Sequence, residues 1–378
     1  MRFIHLSDLH LGKRVNEFSM LEDQQYILWE ILRIIEQEKP DAVFIAGDVY
    51  DKSVPPAEAV TLLDEFLVRL AGMKLQVFMI SGNHDSAERI AFGGRLLDGS
   101  GIHISPAYNG EIRPYETRDE YGTVRIWMLP FVKPADVRRF DPDGETGSYT
   151  DAVRTVVARM NPDPSVRNIL IAHQFVTGAE RSDSEDVSVG GTDNVDASVF
   201  DVFDYTALGH IHGPQKIGRE TVRYCGTPLK YSFSEKDHVK SVTVVDAGAK
   251  GDITVRTVPL APKHDMREIR GTYNELTLRA NYEGTAVDDY LRVVLTDEED
   301  VPDAMARLRT IYPNIMKLDY DNTRTRTSPE MAAAEKIEKK SEIDLFDEFY
   351  TSQNGQGLSG EQRAFCAELL RSIKEEMA

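Results

Sequence analysis

Several short polar motifs in this 378-residue chain carry the kinds of side chain that bind metal ions. They are Asp8-Leu9-His10, Gly47-Asp48, Gly82-Asn83-His84-Asp85, Ala172-His173 and Gly209-His210-Ile211-His212. Each motif directly follows an apolar run with the character of a β-strand. We therefore expect the motifs to meet at one edge of a sheet and to form one cluster of metal ligands.

The candidate ligands are two Asp, one Asn and four His, with no Cys among them: Asp8, His10, Asp48, Asn83, His173, His210 and His212. Such a mixed oxygen and nitrogen set suits Mn, Fe or Zn better than a thiolate structural site does. Seven ligands are too many for one open catalytic ion and about right for two. A carboxylate such as Asp48 can bridge two ions at roughly 3.5–4 Å, the separation used for in-line phosphoryl displacement. The pattern predicts a two-metal phosphoesterase.

The apolar runs and the segments between them predict a layered α/β fold. Strands are expected at residues 2–6, 41–46, 75–80 and 168–172. Apolar residues recur at helical spacing from Leu21 to Ile35 and from Val60 to Leu70. Alternating strands and helices form layered α/β sheets, in which ligands bind beyond the carboxyl ends of the strands. Each polar motif is predicted to lie at such an end.

Taken one at a time, the motifs have ordinary structural explanations. An isolated Asp-x-His or Gly-Asp is common in turns and in satisfied polar pairs. Gly-Asn-His-Asp after a strand is rarer, and His-x-His after another strand is rarer still. Their occurrence together in one chain favours the metal site.

Through these motifs the chain resembles the calcineurin-like metallophosphoesterase superfamily over residues 1–265. Within it, the chain is similar to bacterial DNA-nuclease subunits that act with an ABC-type ATPase. The resemblance is carried by Asp8-Leu-His10-Leu-Gly12, Gly47-Asp48-Val-Tyr-Asp51, Ser81-Gly-Asn83-His84-Asp85 and Gly209-His210-Ile-His212. It extends through Val176–Pro214, with Gly190-Gly191-Thr192-Asp193, a loop that generic phosphoesterases do not share. The resemblance implies the layered metallophosphoesterase sandwich.

The resemblance also implies which residues hold each ion. The first ion would be held by Asp8, His10, Asp48 and His212. The second ion would be held by Asp48, Asn83, His173 and His210. Members of the family favour Mn²⁺, which agrees with this hard ligand set but is not established by it.

Two further residues have implied roles beside the ions. His84 resembles the catalytic histidine of the family, which stabilises the transition state or protonates the leaving oxygen. Asp85 could orient that imidazole, as carboxylates beside metal sites commonly do. Some relatives carry a second histidine three residues beyond the bridging Asp, where this chain has Asp51. The role of that second histidine therefore does not transfer to this chain.

The resemblance implies a DNA nuclease, with exonuclease action on double-stranded ends and endonuclease action on single strands or hairpins. Protein phosphatases of the superfamily carry Arg and Glu where this chain has Lys52 and Asp85, and purple acid phosphatases need a Tyr at Asp51. A metal-dependent small-molecule or cyclic-nucleotide phosphodiesterase stays open as the alternative, because the core motifs would serve it equally well. A DNA-end scaffold with a decayed metal site is disfavoured by the complete ligand set.

Composition sets outer bounds on the protein. A content of 41% hydrophobic and 28% charged residues is ordinary for a soluble protein of two or three domains. No apolar run reaches the length of a transmembrane helix, and the amino terminus enters directly into a strand with no signal-peptide pattern. The cysteines Cys225 and Cys366 are far apart, so a reducing, cytoplasmic setting is the simplest expectation.

Net charge bears on how DNA would be bound. A formal charge of −19 repels DNA at long range, although two divalent ions and local basic clusters would oppose this at the site. We therefore expect a partner to supply much of the affinity. No Gly-x-x-x-x-Gly-Lys-Ser/Thr pattern occurs in the sequence, so any dependence on ATP would also come from a partner.

The carboxyl-terminal third is predicted to carry three further segments. Residues 266–321 are expected to form a small α/β module that resembles the capping domain of the family, with a peripheral extension of the main sheet as the alternative. Residues 322–340 are predicted to be a linker. Residues 341–378 are predicted to form a helix-loop-helix, whose second helix starts at the capping box Ser359–Gln362.

The resemblance implies two kinds of protein contact. The helix-loop-helix would bind the coiled-coil base of the ABC-type ATPase, although it could instead fold back on its own domain. The helix opened by Pro55-Pro56 and the segment Ala87–Leu97 correspond to the dimer contact of relatives, although their apolar face could equally be core. The expected assembly is a homodimer within a heterotetramer.

Overall fold

The computed structural model describes residues 1–142, 144, 146–185, 193–323, 325, 343, 346–347, 350–351, 357–360, 362–367 and 369. The predicted loop motif Gly190-Gly191-Thr192 lies outside the described residues, and so do most of the predicted linker and much of the predicted helix-loop-helix.

The strands and helices follow in chain order. Strands are β1 (Arg2–Leu6), β2 (Arg14–Val15), β3 (Phe18–Ser19), β4 (Ala42–Ala46), β5 (Gln76–Ile80), β6 (Ile102–Ile104), β7 (Tyr115–Asp119), β8 (Gly122–Leu129), β9 (Arg167–His173), β10 (Phe175–Val176), β11 (Asn194–Val195), β12 (Tyr205–Gly209), β13 (Gln215–Ile217), β14 (Arg219–Tyr224), β15 (Ser241–Ala247), β16 (Ile253–Pro259), β17 (Met266–Gly271), β18 (Tyr290–Leu295) and β19 (Ile315–Tyr320). Helices are α1 (Leu21–Glu38), α2 (Ala57–Gly72), α3 (Ala87–Ile90), α4 (Gly94–Leu97), α5 (Pro134–Arg138), α6 (Tyr149–Met160), α7 (Tyr273–Thr277), α8 (Arg279–Tyr282) and α9 (Ala304–Leu308). Short 3-10 turns cover Asp98–Ser100, Ala197–Phe200 and Phe233–Glu235.

Two six-stranded sheets organise the first part of the chain. The first has the order β16-β15-β1-β4-β5-β6 and the second has the order β13-β14-β12-β9-β8-β7. Strands β1, β4, β5 and β6 run parallel in the first sheet, and β8, β9, β12 and β14 run parallel in the second. The carboxyl ends of four neighbouring strands therefore fall together in each sheet.

A buried layer of aromatic and aliphatic side chains lies between the two sheets. The first sheet contributes Phe3, Phe44 and Phe78, and the second contributes Ile169 and Tyr205. The rings of Phe3 and Phe44 stack at 4.3 Å between centroids, and Phe3 meets Tyr205 edge to face at 5.4 Å. The sheets therefore share one core, as expected of a sandwich.

Helices cover the outer faces of both sheets. Helix α1 buries Ile27, Leu28 and Ile31 in the core cluster that includes the other face of β1 and β4. Helix α6 begins at a capping box between Ser148 and Asp151 and packs on the second sheet. The order of layers is helix, sheet, sheet, helix, which confirms the predicted layered α/β fold.

The predicted strands and helices are confirmed with small shifts at their ends. Strands expected at 2–6, 41–46, 75–80 and 168–172 are β1, β4, β5 and β9. Helix α2 follows Pro56 as expected, but Val60 is 45% exposed and Leu62 is buried in its place. Leu63, Phe66 and Leu70 are buried as the spacing predicts, so the core face is the predicted one and only Val60 lies outside it.

A three-stranded sheet of order β17-β18-β19 lies in the stretch predicted as a small α/β module. The helix predicted to begin near Pro302 is α9. The chain divides into two compact units: unit 1 contains Met1–Glu268, Ala286–Arg292 and Tyr312–Lys317, and unit 2 contains Ile269–Thr285, Val293–Ile311 and Leu318–Ala378.

Both cysteines are free: Cys225 is buried and Cys366 is half-buried. None of the helices in the described ranges is long and apolar enough to cross a bilayer.

We predict that Gly209→Ala destabilises the protein. A Cβ at Gly209 would overlap the Ala46 carbonyl oxygen and would lie 2.8 Å from His173 Nδ1, where the two sheets approach each other. Overpacking of this kind costs about 1–3 kcal/mol or more. Thermal unfolding of the metal-free variant should show a lower Tm, whereas the control Gly99→Ala, with nothing within 4 Å of the added Cβ, should leave the Tm unchanged. Equal Tm values for both variants would contradict the prediction.

Candidate metal centre

The structure brings the seven predicted ligands together at the carboxyl ends of strands from both sheets. Asp8 and His10 follow β1, and Asp48 and Asn83 follow β4 and β5 of the first sheet. The remaining histidines end or follow strands of the second sheet: His173 ends β9, and His210 and His212 follow β12. The expectation that the motifs share the edge of one sheet was therefore wrong. Sequence patterning identifies strands, but it does not reveal which strands pair.

Several of these ligands lie on backbone in the left-handed region of φ. The φ values are 52° at Asp8, 44° at His10, 46° at Asp48 and 106° at His210. Non-glycine residues are uncommon there and persist where surrounding contacts hold them. Such contacts are present: Asp8 N donates to Gly47 O at 3.0 Å, and His210 N donates to Asp8 Oδ1 at 3.0 Å. The strand ends therefore turn sharply and direct several side chains into one small volume.

Asp8, His10 and His212 form the first group of potential ligand atoms, all within 4.8 Å of one another. The side-chain atoms His10 Nε2 and His212 Nε2 are only 3.2 Å apart, and both residues are buried. In the metal-free chain this contact is a hydrogen bond in which one ring nitrogen donates to the other, and a cation bound by both Nε2 lone pairs would replace it. This geometry fits the ligand set predicted for the first ion.

Asp48, His173 and His210 form a second group, also within 4.8 Å. Asn83 completes it, because its Oδ1 lies 3.0 Å from His173 Nε2 and 2.9 Å from His210 Nδ1. His173 Nδ1 donates to Ala46 O at 2.8 Å, which leaves Nε2 to face the cluster. These are the four residues predicted for the second ion.

Asp48 is the residue common to both predicted ligand sets. Its Oδ2 lies 3.3 Å from His173 Nε2 and 3.8 Å from His10 Nε2. The side chain is 2% exposed, so water screens these interactions little. A carboxylate between two groups of imidazoles is the arrangement that a bridging ligand requires.

Charge in the metal-free cluster is unevenly distributed. Burial acts against ionisation of Asp48, but the charge and hydrogen bond of His173 hold the pKa of Asp48 well below its usual range. Burial would lower the pKa of His173, but Asp48 raises it to about 9. Burial lowers the pKa of His210 to about 3 and that of His10 well below its usual value. These pKa shifts favour a protonated His173 and neutral His10 and His210 in the metal-free chain, so an ion bound here would displace a proton from His173.

The donor set fits two divalent cations. It combines carboxylate and amide oxygens with imidazole nitrogens, as Mn, Fe and Zn sites do. His10 Nδ1 is buried and has no hydrogen-bond partner in the described part of the chain. These ligand types suit all three metals and do not select one of them.

His84 lies beside this cluster with its imidazole held in one orientation. Its Nδ1 donates to Asp51 O at 3.0 Å, and its Nε2 lies 4.0 Å from Asp48 Oδ2. Its side chain is 18% exposed, so solvent reaches it, unlike Asp8 and His10, which are fully buried. A group bound at the cluster could meet His84 Nε2 as a proton donor, which agrees with the role predicted for this residue.

Asp85 does not make the contact that was expected of it. Its carboxylate accepts from three backbone amides, those of Val49 at 3.0 Å, Tyr50 at 2.9 Å and Gly82 at 2.9 Å. The carbonyl of Asp51 instead takes the bond from His84 Nδ1. Burial and the charge of Asp48 raise the pKa of Asp85 to about 6. Asp85 therefore fixes the loops that carry Asp48 and Asn83, and the imidazole is oriented by backbone.

Asp51 occupies the position where some relatives carry a second histidine. Its Oδ1 pairs with Lys13 Nζ at 2.7 Å and lies 3.8 Å from His10 Nδ1. Both members of the pair are 14% exposed. In this chain an ion pair therefore lies where that imidazole would be.

Sequence reasoning missed a buried network that holds His212. His212 Nδ1 donates to Ser184 Oγ at 2.6 Å, and Ser184 donates to Glu235. The His212 backbone N donates to Glu185 Oε1 at 2.6 Å. Glu235 is fully buried and also pairs with Lys240. The loop match through Val176–Pro214 contained a signal for Ser184 and Glu185, but Glu235 and Lys240 lie in no recognisable pattern.

The remaining histidines make structural contacts and belong to none of the ligand groups found among the described residues. His5 is buried, with Nδ1 3.1 Å from Tyr205 Oη and Nε2 3.1 Å from Leu208 O. His103 contacts Asp98 and Gln76, and His264 Nδ1 lies 2.9 Å from Asp23 Oδ1. His238 is half-buried and is absent from the ligand groups found among the described residues.

We predict that Glu235→Gln weakens metal binding by about 10- to 100-fold, because the chain that orients His212 loses its terminal carboxylate. Lys240 would keep a buried charge without its partner, which costs roughly 3–5 kcal/mol of stability. Calorimetric Mn²⁺ titration and thermal unfolding measure the two effects. Adding Lys240→Met should recover stability but not affinity, and Glu220→Gln at an exposed ion pair is the control. Full metal affinity in Glu235→Gln would contradict this role.

Comparison with known proteins gives similarities over the whole chain. Residues 1–214 match the family described as calcineurin-like phosphoesterase, and residues 262–354 match SbcD_C, described as the type 5 capsule protein repressor C-terminal domain. The SbcD subunit of the nuclease SbcCD from Staphylococcus epidermidis is 32% identical over 99% of this chain and 99% of its own. The SbcD subunit from Staphylococcus saprophyticus is 32% identical over 100% of this chain and 99% of its own length. A dimetal phosphatase structure from Danio rerio, covering 69% of this chain and 98% of its own at 11% identity, has a TM-score of 0.38, too low to support a conclusion.

Proposed function

Because the chain belongs to the calcineurin-like phosphoesterases and, within them, to the SbcD nuclease subunits, we propose that it cleaves DNA using two divalent ions. We propose that both ions are Mn²⁺. The observation that carries the two-ion proposal is Asp48, which is shared by two groups of imidazole ligands. The first ion is assigned to Asp8, His10, Asp48 and His212, and the second is assigned to Asp48, Asn83, His173 and His210.

The residues of this chain contribute to hydrolysis by holding and orienting groups. When bound, the two ions supply Lewis acidity toward a phosphate and lower the pKa of bound water. The carboxylates of Asp8 and Asp48 balance the charge of the ions in a site from which bulk water is largely excluded. His84 Nε2, with Nδ1 fixed by the Asp51 carbonyl, delivers a proton to the leaving oxygen or donates a hydrogen bond to the developing charge.

The substrate proposal is DNA, with ATP-dependent exonuclease action on double-stranded ends and endonuclease action on single strands or hairpins. It is supported by the family membership, and with it we propose a role in DNA end processing during replication, recombination and repair. The net charge of −19 makes strong binding of DNA by this chain alone unfavourable. A partner that recruits DNA and uses ATP is part of the proposal, and the cytoplasmic location stays a prediction.

We propose that this partner is an SbcC-type ABC ATPase that binds the carboxyl-terminal residues 341–378. Ser359 N donates to Gln362 Oε1 at 2.9 Å, and Gln362 N donates to Ser359 Oγ at 3.2 Å, so the predicted capping box is formed. Arg363 pairs with Asp347 at 2.7 Å, which joins the two predicted helical segments. Apolar side chains remain exposed on both: Phe346, Phe365 and Leu369. An exposed apolar face on a paired helical unit suits a protein partner.

Homodimer formation is proposed for the segment Ala87–Leu97. Phe92 is 86% and Leu96 is 87% exposed, and such large apolar side chains side by side favour a protein interface. The sequence allowed the apolar face of α2 to be either core or dimer contact. Leu63 and Phe66 on this face are buried in the core. Residues 266–321 are proposed as the capping domain and residues 322–340 as the linker.

We predict metal-dependent cleavage of end-labelled linear duplex and hairpin DNA by the purified chain with Mn²⁺, with ATP altering it when the ATPase partner is present. Asp48→Ala should abolish both metal binding and cleavage, because both predicted ligand sets lose their shared carboxylate. His84→Ala should lower cleavage by about 10²- to 10⁴-fold and spare metal content.

Two outcomes would count against this proposal. Hydrolysis of bis-p-nitrophenyl phosphate or a cyclic nucleotide without any DNA cleavage would favour a small-molecule phosphodiesterase. Full activity of His84→Ala, with metal bound, would remove His84 from the reaction.

We predict that Phe365→Asp in the full-length chain abolishes co-purification with the SbcC-type ATPase while hydrolysis of bis-p-nitrophenyl phosphate is unchanged. A charge at an exposed apolar position cannot be buried in an interface without a large desolvation cost. Val202→Asp, at a position that is 51% exposed on unit 1, is the matched control. Tight binding of the ATPase to Phe365→Asp would refute the assignment of the interface.

A further inference from the structure

Arg181 lies close to the metal centre and is not used by the chemistry proposed above. Its guanidinium carbon is 3.5 Å from the centroid of the Phe175 ring, so the cation stacks on the aromatic face. The same ring lies 6.3 Å from the His210 imidazole, between centroids. Phe175 therefore neighbours both Arg181 and His210, a predicted ligand of the second ion, and stacking holds the guanidinium in place.

Within the described part of the chain, Arg181 uses few of its hydrogen-bond donors. A guanidinium has five N–H donors. In the described ranges, Nη2 bonds to Asp193 Oδ1 at 3.2 Å, and the buried Nε has no acceptor. A buried donor without an acceptor is unfavourable, because its hydrogen bond to water is lost and not replaced. The side chain keeps 20% exposure, so a ligand can reach it.

Arg167 shows what a purely structural arginine looks like in this fold. Its two Nη atoms donate to both carboxylate oxygens of Asp119 and to the backbone oxygens of Gly122, Ala247 and Gly248. The side chain is 2% exposed. The Nε of Arg167 also lacks an acceptor among the described residues, so the difference lies in the Nη atoms: those of Arg167 make five hydrogen bonds, whereas one is found for Arg181 in the described ranges.

We propose that Arg181, held on Phe175, binds the phosphate next to the scissile phosphate in a nucleic-acid substrate. Arginine matches phosphate geometry better than any other side chain, because it can form two parallel N–H···O bonds. A nucleic acid carries a second phosphate next to the scissile one, whereas bis-p-nitrophenyl phosphate carries a single phosphate. The inference rests on the proposed function, and it explains how an acidic protein favours a polynucleotide over an ester with one phosphate.

The test compares substrates with one and with two phosphates. Arg181→Ala, Arg181→Lys and the control Arg154→Ala, an exposed arginine paired only with Asp151 among the described residues, are assayed with Mn²⁺. We expect Arg181→Ala to hydrolyse bis-p-nitrophenyl phosphate like the wild type and to bind the same amount of metal. Its KM for a short single-stranded oligonucleotide should rise by about 10- to 100-fold. Arg181→Lys keeps a point charge, so its KM for the oligonucleotide should lie between that of the wild type and that of Arg181→Ala.

A methylphosphonate scan locates the contact. A neutral linkage beside the scissile phosphate should raise the KM of the wild type as much as Arg181→Ala does, and it should have no further effect on the variant. Unchanged oligonucleotide cleavage by Arg181→Ala, or an equal loss on bis-p-nitrophenyl phosphate, would overturn the inference while leaving the nuclease proposal intact. If the metal-loaded wild type cleaves no oligonucleotide, the proposed function itself fails.

Discussion

The Asp48 carboxylate, 2% exposed and placed between two groups of imidazoles, is the constraint on which the rest of this structure depends. A buried carboxylate is tolerated only when it is paired and hydrogen-bonded. His173 supplies the pairing at 3.3 Å, and the His84 backbone N donates to Asp48 Oδ1 at 2.9 Å. The sandwich satisfies that requirement because the two sheets end at the same place. The second sheet contributes the His173 imidazole, and the first sheet contributes the backbone N–H of His84.

The approach of the sheets explains the unusual backbone around the cluster. A Cβ at Gly82 would overlap Asp48, and one at Gly209 would overlap the carbonyl of Ala46, so only glycine permits these approaches. Ligands such as His210, with φ of 106°, adopt conformations that a strand would not tolerate. The surrounding core, in which every residue of β4 is buried, holds these strained residues in place.

Around the candidate ligands lies a further layer of groups that hydrogen-bond to these side chains or to the loops that carry them. Ser184 and Glu235 orient His212, the Asp51 carbonyl orients His84, and Asp85 ties together the loops after two strands. Burial by itself would raise the pKa of Glu235, but the hydrogen bond from His212 and the charge of Lys240 hold it well below its usual range. Its stabilising effect is therefore complete above the unfolded pKa of 4.5 and is lost as the pH falls.

The sequence by itself determined the strands β1, β4, β5 and β9, the helices α1 and α2, and the identity of the clustered ligands, because these depend on local periodicity and on residue types at strand ends. Only the tertiary structure decided that the ligands come from two sheets, because the pairing of strands depends on distant segments. It also decided that Asp85 binds backbone amides and that Glu235 lies behind His212. Glu235 is 23 residues from His212, so no local sequence pattern marks the pair, and only folding brings the two side chains together.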